Sequence, residues 1–305
     1  MNPSSAPRIL ITGSANGIGL QAALQLSQRG CHLILADRNV EAGEAAAGRI
    51  RQAGGQAEFR PLDLGSLAHI RAFAQEELAR GEPLDVLVNN AGLLPPMHRS
   101  TTADGFELAF GVAFLGHFAL AGLLMPALLR SPAPRVVSVS SNSHPSGRID
   151  FANLQLESGY QSSKAYTNSK LACLMFAMEL QRRADAAGRR LLSVAAHPGI
   201  STTSIAAGWH SEDRRKLMDR FEVLGYNLLM RYVGQGAEDG ARPLVLAALD
   251  DGIRPGGYYG PTGFMQAGGE PGPVKPARKA LDTATAARLW ERAQALTGVH
   301  WEALD

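Results

Sequence analysis

Short apolar runs alternate with longer stretches of helical period along most of the chain. Ile9–Thr12, His32–Ala36, Ala57–Arg60, Asp85–Asn89, Arg135–Ser140 and Leu191–Ala196 read as strands. Val86-Leu87-Val88 and Val136-Val137 are unbroken apolar runs, the pattern of strands buried on both faces of a parallel sheet. Helix-length segments lie between them, at about 17–29, 40–53, 66–80, 103–130 and 162–187. In the first, Leu20, Ala23 and Leu24 fall at i, i+3 and i+4 and predict an inward face. Asp63 and Ser66 stand before the third and offer its cap. Repeated strand–helix order implies right-handed crossovers, hence an α/β fold with a three-layer, doubly wound parallel sheet.

The rhythm breaks after Ser201. A helical excursion at about 201–233 carries Ile205, Trp209, Leu217, Met218, Phe221, Leu224, Tyr226 and Leu228, and reads as a variable apolar lid over a greasy substrate. A helix near 236–249 follows. Gly-Gly-Tyr-Tyr-Gly at 256–260 predicts a last short strand, and the Gly/Pro-dense stretch 261–280 an ordered surface loop. An amphipathic helix at about 283–298 turns Leu289 and Trp290 inward. No linker divides the chain, so residues 1–305 are expected to form a single domain.

Composition narrows the function classes. Thirty basic against 28 acidic residues leave a net charge of +2, no footprint for nucleic acid. Two cysteines, Cys31 and Cys173, build neither a disulfide framework nor a structural zinc site. His117, His144 and His197 have no metal-ligand spacing, so no metal is expected. No segment reads as a membrane span, and Met1 to Arg8 is a polar tail without an apolar signal core. These features predict a cytoplasmic protein. Arg214, Arg215, Lys216 and Arg220 beside the apolar lid permit peripheral membrane contact.

Three local motifs carry chemistry. Thr12-Gly13-Ser14-Ala15-Asn16-Gly17-Ile18-Gly19 follows the first strand and opens a helix. Glycines there let backbone approach a pyrophosphate at a helix N-terminus. Asp37 ends the second strand, 18 residues past Gly19, where a carboxylate meets adenosine ribose hydroxyls. It favours NAD by repelling a 2′-phosphate, whereas Arg38 beside it would pair with that phosphate and admit NADP. Asn89-Asn90-Ala91-Gly92 closes the fourth strand. Tyr166 and Lys170, four apart, share one helix face. An ammonium one turn from a phenol favours the phenolate and suits it to general acid or base work on an alcohol or carbonyl.

In this order, the motifs resemble the short-chain dehydrogenase/reductase family, over about residues 8–260. The resemblance implies a Rossmann-like fold and an NAD(P)-dependent enzyme that moves hydride between nicotinamide and an alcohol or carbonyl substrate. It implies that Gly13, Asn16, Gly17, Ile18 and Gly19 bind the pyrophosphate side and that Asp63 and Leu64 border the adenine. Asn89, Ala91 and Gly92 would line the cofactor cleft. Ser141 would orient the substrate oxygen, Tyr166 would transfer the proton, and Lys170 would hold the nicotinamide ribose. Pro198, Gly199 and Thr203 would contact the nicotinamide end. The family also implies a homodimer or tetramer.

Ser141 and Tyr166 stand 25 apart, and the intervening Ser143–Phe151 stretch resembles the insertion of retinol-dehydrogenase-like members. Leu115-Gly116-His117-Phe118, His197-Pro198-Gly199 and Tyr258-Tyr259-Gly260-Pro261 resemble the same subgroup, which implies a small lipophilic substrate. One position departs. The family's asparagine, which positions a proton-relay water, is Ala113 here. That departure raises an alternative, a catalytically impaired NAD(P)-binding sensor or partner protein on the same fold.

Overall fold

The computed structural model describes residues 6–200 and 236–304. The expected lid at 201–233, with Thr203 and the four basic residues, lies outside them, as does most of the N-terminal tail. Among the described residues, eight strands form one sheet: β1 (Arg8–Thr12), β2 (His32–Asp37), β3 (Gln56–Pro61), β4 (Val86–Asn89), β5 (Arg135–Val139), β6 (Leu192–Ala196), β7 (Tyr258–Pro261) and β8 (Pro271–Pro273). Their order is β3-β2-β1-β4-β5-β6-β7-β8. All pairings are parallel except β7–β8. The order reverses direction between β1 and β4, and that switch point opens the crevice in which doubly wound sheets bind ligands.

The apolar strands divide residue by residue between two cores. Ile9, Ile11, Leu33, Leu35, Val86, Val88, Val137 and Val139 face one side. Leu10, Ile34, Leu87 and Val136 face the other. This two-sided burial is what their unbroken hydrophobicity predicts. Helices α1 (Gly17–Gln28), α2 (Val40–Gln52) and α6 (Ala237–Leu249) cover the first face. Helices α3 (Leu67–Ala79), α4 (Leu108–Leu128) and α5 (Ser162–Ala186) cover the second. Ser66 caps α3, its hydroxyl accepting from the His69 N–H at 3.3 Å. The buried face of α1 is Gly19, Ala22, Ala23 and Leu26, rotated from the expected one. Small residues there bring the helix close to the sheet, and Leu20 and Leu24 stay only partly covered.

Three further expectations change. Helix α4 starts at Leu108, not near 103, because the Glu107 carboxylate caps it by accepting from Ala109 N (3.1 Å) and Phe110 N (2.8 Å). Its turn Gly111–Leu115 is a wide π-turn. Against the expectation of no span-like segment, α4 is long and apolar enough to cross a membrane by length and composition, at mean hydropathy 2.0. Yet 83% of that window is buried inside the fold, between α3 and α5, so its apolarity serves the core here. Lastly, the stretch expected as a loop at 261–280 contains β8. Two prolines hide a strand from propensity, but an edge strand tolerates them because one side needs no partner.

The C-terminal segment closes the second core. Helix α7 (Thr283–Thr297) buries Leu289 and Trp290, as its period predicts. Trp301 then folds back beside Trp290, ring centroids 4.6 Å apart, and lies on Gly122 of α4.

Candidate active site

A cleft of about 260 Å³ lies at the carboxyl ends of the strands. Gly13, Asn16, Gly17, Ile18, Gly19, Asp37, Arg38, Asp63, Leu64, Ala91, Gly92, Tyr166, Lys170 and Pro198 line it. Helix α1 begins at Gly17, and the Asn16 side chain makes no capping bond to it. Its first N–H groups therefore point into the cleft with the positive end of the helix dipole, a seat for a phosphate. Gly13 has φ +64° and backs onto Ala91, while a Cβ on Gly19 would meet the Gly13 carbonyl oxygen at 2.2 Å. The close-packed loop needs glycine at both positions, and its surroundings fit a pyrophosphate.

The Asn89-Asn90-Ala91-Gly92 turn is laced to this loop. Thr12 Oγ1 accepts from Asn90 N and Ala91 N, both at 3.0 Å. Asn90 Nδ2 donates to Thr12 O (2.8 Å) and Gly13 O (3.0 Å). Asn90, not Asn89, lines the cleft. Asn89 is 2% exposed and points into a separate small void with Ala113, Ser138 and Cys173. Neighbours at a strand end project to opposite sides, so the two asparagines cannot share one role.

Tyr166 and Lys170 lie on one face of α5, the Lys170 ammonium 6.0 Å from the centre of the phenol ring. Lys170 is buried and donates to Val139 O at 3.0 Å. Ser140 lines the cleft, and its hydroxyl donates to Lys170 O at 2.8 Å. Ser141 is buried beside it. The Ser141 hydroxyl oxygen accepts from Ser143 Oγ at 3.0 Å and Ser143 N at 3.2 Å. Its carbonyl accepts from His144 Nδ1 (2.7 Å) and Tyr258 OH (3.2 Å). Burial pushes the Tyr258 phenol up, so it remains a neutral donor next to the site. Gly199 sits just beyond the cleft lining, with its N–H donating to His197 Nδ1 at 3.1 Å.

Ala113 keeps the π-turn. Its carbonyl accepts from His117 Nδ1 (2.8 Å) and Cys173 Sγ (3.1 Å). Cys173 is thus a packed thiol, and burial raises its pKa. Thr12, Asn90, Val112 and Ser140 also line the cleft, although the motifs assign binding roles to their neighbours instead. The parity of β4 and β5 was the signal available for Asn90 and Ser140.

Three histidines are built into the surrounding frame. Burial pushes His117 and His197 down to about 4 and lowers His144. In the unfolded chain each titrates near 6.5. The contributions of His117 and His197 to stability are therefore complete above pH 6.5 and are lost as pH falls toward 4, at about 1.4 kcal/mol per pH unit each, and His144 acts in the same direction. We expect Tm at pH 4.5 to lie on the order of 10 °C below its value at pH 7. His197→Asn should flatten that slope by one histidine's share. A slope unchanged by the substitution would refute the assignment.

The residues around this cleft match known proteins. The family model for short chain dehydrogenases matches residues 7–214. Human retinol dehydrogenase 12 is 37% identical over 96% of this chain and 87% of its own. Mouse polyprenol dehydrogenase is 39% identical over 95% of this chain and 83% of its own. The crystal structure of an uncharacterized protein from Mycobacterium paratuberculosis superposes with a TM-score of 0.79 at 38% identity, covering 98% of this chain and 96% of that one. The Pseudomonas aeruginosa RhlG/NADP complex superposes at 0.65 and 25% identity, covering 85% and 96%. These relatives overturn the cytoplasmic expectation: by name, two of them act on retinol and polyprenol, alcohols that dissolve in lipid bilayers. A modest net charge and a polar N-terminus carry no information against membrane association. Fold, motifs and relatives agree: the chain belongs to the short chain dehydrogenase family, in its retinol-dehydrogenase-like group, and is an NAD(P)-dependent oxidoreductase.

Proposed function

We propose that the protein interconverts a lipophilic alcohol and its carbonyl compound, with Tyr166 as the proton-transferring group. The observation that carries this reading is the joint lining of one cleft by the glycine loop, Tyr166 and Lys170. When bound, the nicotinamide cofactor supplies or accepts the hydride. Tyr166, half-buried at the cleft wall, passes a proton to the carbonyl oxygen or takes it from the alcohol. Lys170 places a positive charge one helical turn away, anchored on Val139 O. The Ser141 hydroxyl, held by Ser143, orients the substrate oxygen. Retinol and polyprenol in the relatives' names support a lipophilic substrate.

NAD is the favoured cofactor. The Asp37 carboxylate accepts from Ala15 N (3.1 Å) and Asn39 N (3.0 Å), which fixes a negative charge at the cleft wall. A 2′-phosphate brought there meets that charge, whereas ribose hydroxyls donate to it. Arg38 beside it lines the cleft too, but as an exposed side chain it compensates weakly. Titration with NADH and NADPH should give at least tenfold tighter NADH binding, and Asp37→Ala should close most of the gap. Tighter NADPH binding by the unaltered protein would reverse the cofactor assignment. Binding of neither would undo the functional reading. Oxidation of retinol under saturating NAD then tests the substrate class.

A further inference from the structure

We infer that His117 is a positioning residue for the cofactor cleft, acting through the Thr12 hydroxyl on the Asn90–Gly92 turn. The inference rests on the proposed nicotinamide cleft. His117 is 3% exposed and sits in α4, behind the cleft lining. Its Nδ1 faces Ala113 O at 2.8 Å, and its Nε2 faces Thr12 Oγ1 at 2.8 Å. A carbonyl oxygen only accepts, so Nδ1 carries the proton. Neutral imidazole then leaves Nε2 as an acceptor, and burial keeps the ring neutral. The Thr12 hydroxyl has one proton and two lone pairs. Both lone pairs are filled by Asn90 N and Ala91 N, so its proton goes to Nε2. The next acceptor, Val88 O, is more distant at 3.3 Å.

The chain Ala113 carbonyl–His117–Thr12 therefore has one proton arrangement. It fixes the hydroxyl rotor so that both lone pairs face the turn. The turn in turn sets the cleft wall: Ala91 backs Gly13, and Gly92 lies against the Lys170 ammonium, which a Cβ on Gly92 would approach to 3.2 Å. His117 thus links the π-turn of α4 to the glycine loop and to Lys170 without touching the ligand space.

Two substitutions separate the two ends of the ring. Glutamine places its amide oxygen where Nε2 stood and keeps an acceptor for Thr12. Asparagine places its amide nitrogen where Nδ1 stood, keeps the donor to Ala113 O and leaves Thr12 with Val88 O. Each deletes one buried hydrogen bond, so a purely structural role predicts equal losses of Tm and of function. The inference predicts that His117→Gln binds NADH within about twofold of the parent protein. His117→Asn should bind at least fivefold more weakly and raise KM for the nicotinamide more than it lowers kcat. Equal NADH affinities of the two variants, at comparable Tm, would overturn it. If either variant fails to fold, Thr12→Ser and Thr12→Val give the same comparison from the other side, the serine retaining affinity and the valine losing it. Failure of the parent protein to bind either nicotinamide would instead defeat the cleft assignment, so the two failures remain distinct.

Discussion

Tyr166→Phe should lower turnover by about 10³-fold while leaving NADH affinity and Tm within error of the parent protein. The change deletes one oxygen atom at the cleft wall and keeps the ring that packs below the Lys170 ammonium. No hydrogen bond from the Tyr166 hydroxyl to another described residue holds the fold together, so the loss falls on the proton transfer itself. Tyr258 stands nearby but cannot substitute: its hydroxyl is committed to Ser141 O and burial keeps its proton on. Stopped-flow measurement of nicotinamide absorbance, with retinol and NAD at saturation, checks the prediction. Turnover above a tenth of the parent rate would remove Tyr166 from the proposed role.

Gly19→Ala should weaken nicotinamide binding by at least about 100-fold, near 2.7 kcal/mol, and destabilise the fold by about 1–3 kcal/mol. The new Cβ would stand 2.2 Å from Gly13 O and 2.5 Å from Asn90 Nδ2. Backbone must move on one side, and the amide that ties Asn90 to Thr12 and Gly13 must move on the other. The loop then opens away from α1 at the place where the helix dipole meets the ligand. Gly48→Ala is the matched control, since a Cβ there meets nothing within 4 Å. It lies inside α2, so the control should be stabilising by about 0.5–1 kcal/mol. Calorimetric titration of both proteins with NADH decides the matter, and a Gly19→Ala protein that binds normally would refute the cradle geometry.

Much of the frame was legible because each strand had to be apolar on both faces. Val86-Leu87-Val88 could be read as a buried strand without knowing that Leu87 and its neighbours face different cores. The glycine loop was equally plain, since few other contexts need Gly13, Gly17 and Gly19 between a strand and a helix. What escaped depended on partners distant in sequence. Pro271-Gly272-Pro273 became a strand only because β7 offered an edge to pair with. No segment reads as a membrane span, yet helix α4 is long and apolar enough for one, and α3, α5 and the C-terminal tryptophans, distant in sequence, bury it. Asn89 and Asn90 looked alike until the strand end fixed which one faced the cleft. His144 has no metal-ligand spacing to mark it in the sequence, and the structure buries it between Ser141 O and Ala277 N. In the sequence a membrane relationship rested on Arg214, Arg215, Lys216 and Arg220 beside the apolar lid alone, and the relatives' substrates strengthened it.

The three buried imidazoles have a consequence for how rates are to be interpreted. They hold Thr12, Ser141 and the turn at Gly199 in their neutral forms. Protonating them requires opening the frame, and opening is slow where hydrogen-bond donors and acceptors are enclosed. An acidic decline in rate would then deepen with the time of preincubation rather than appear at once. Its midpoint would measure survival of the scaffold and carry no information about the proton donor. Initial rates taken by pH jump, before the frame has time to open, would isolate the chemistry from the clock.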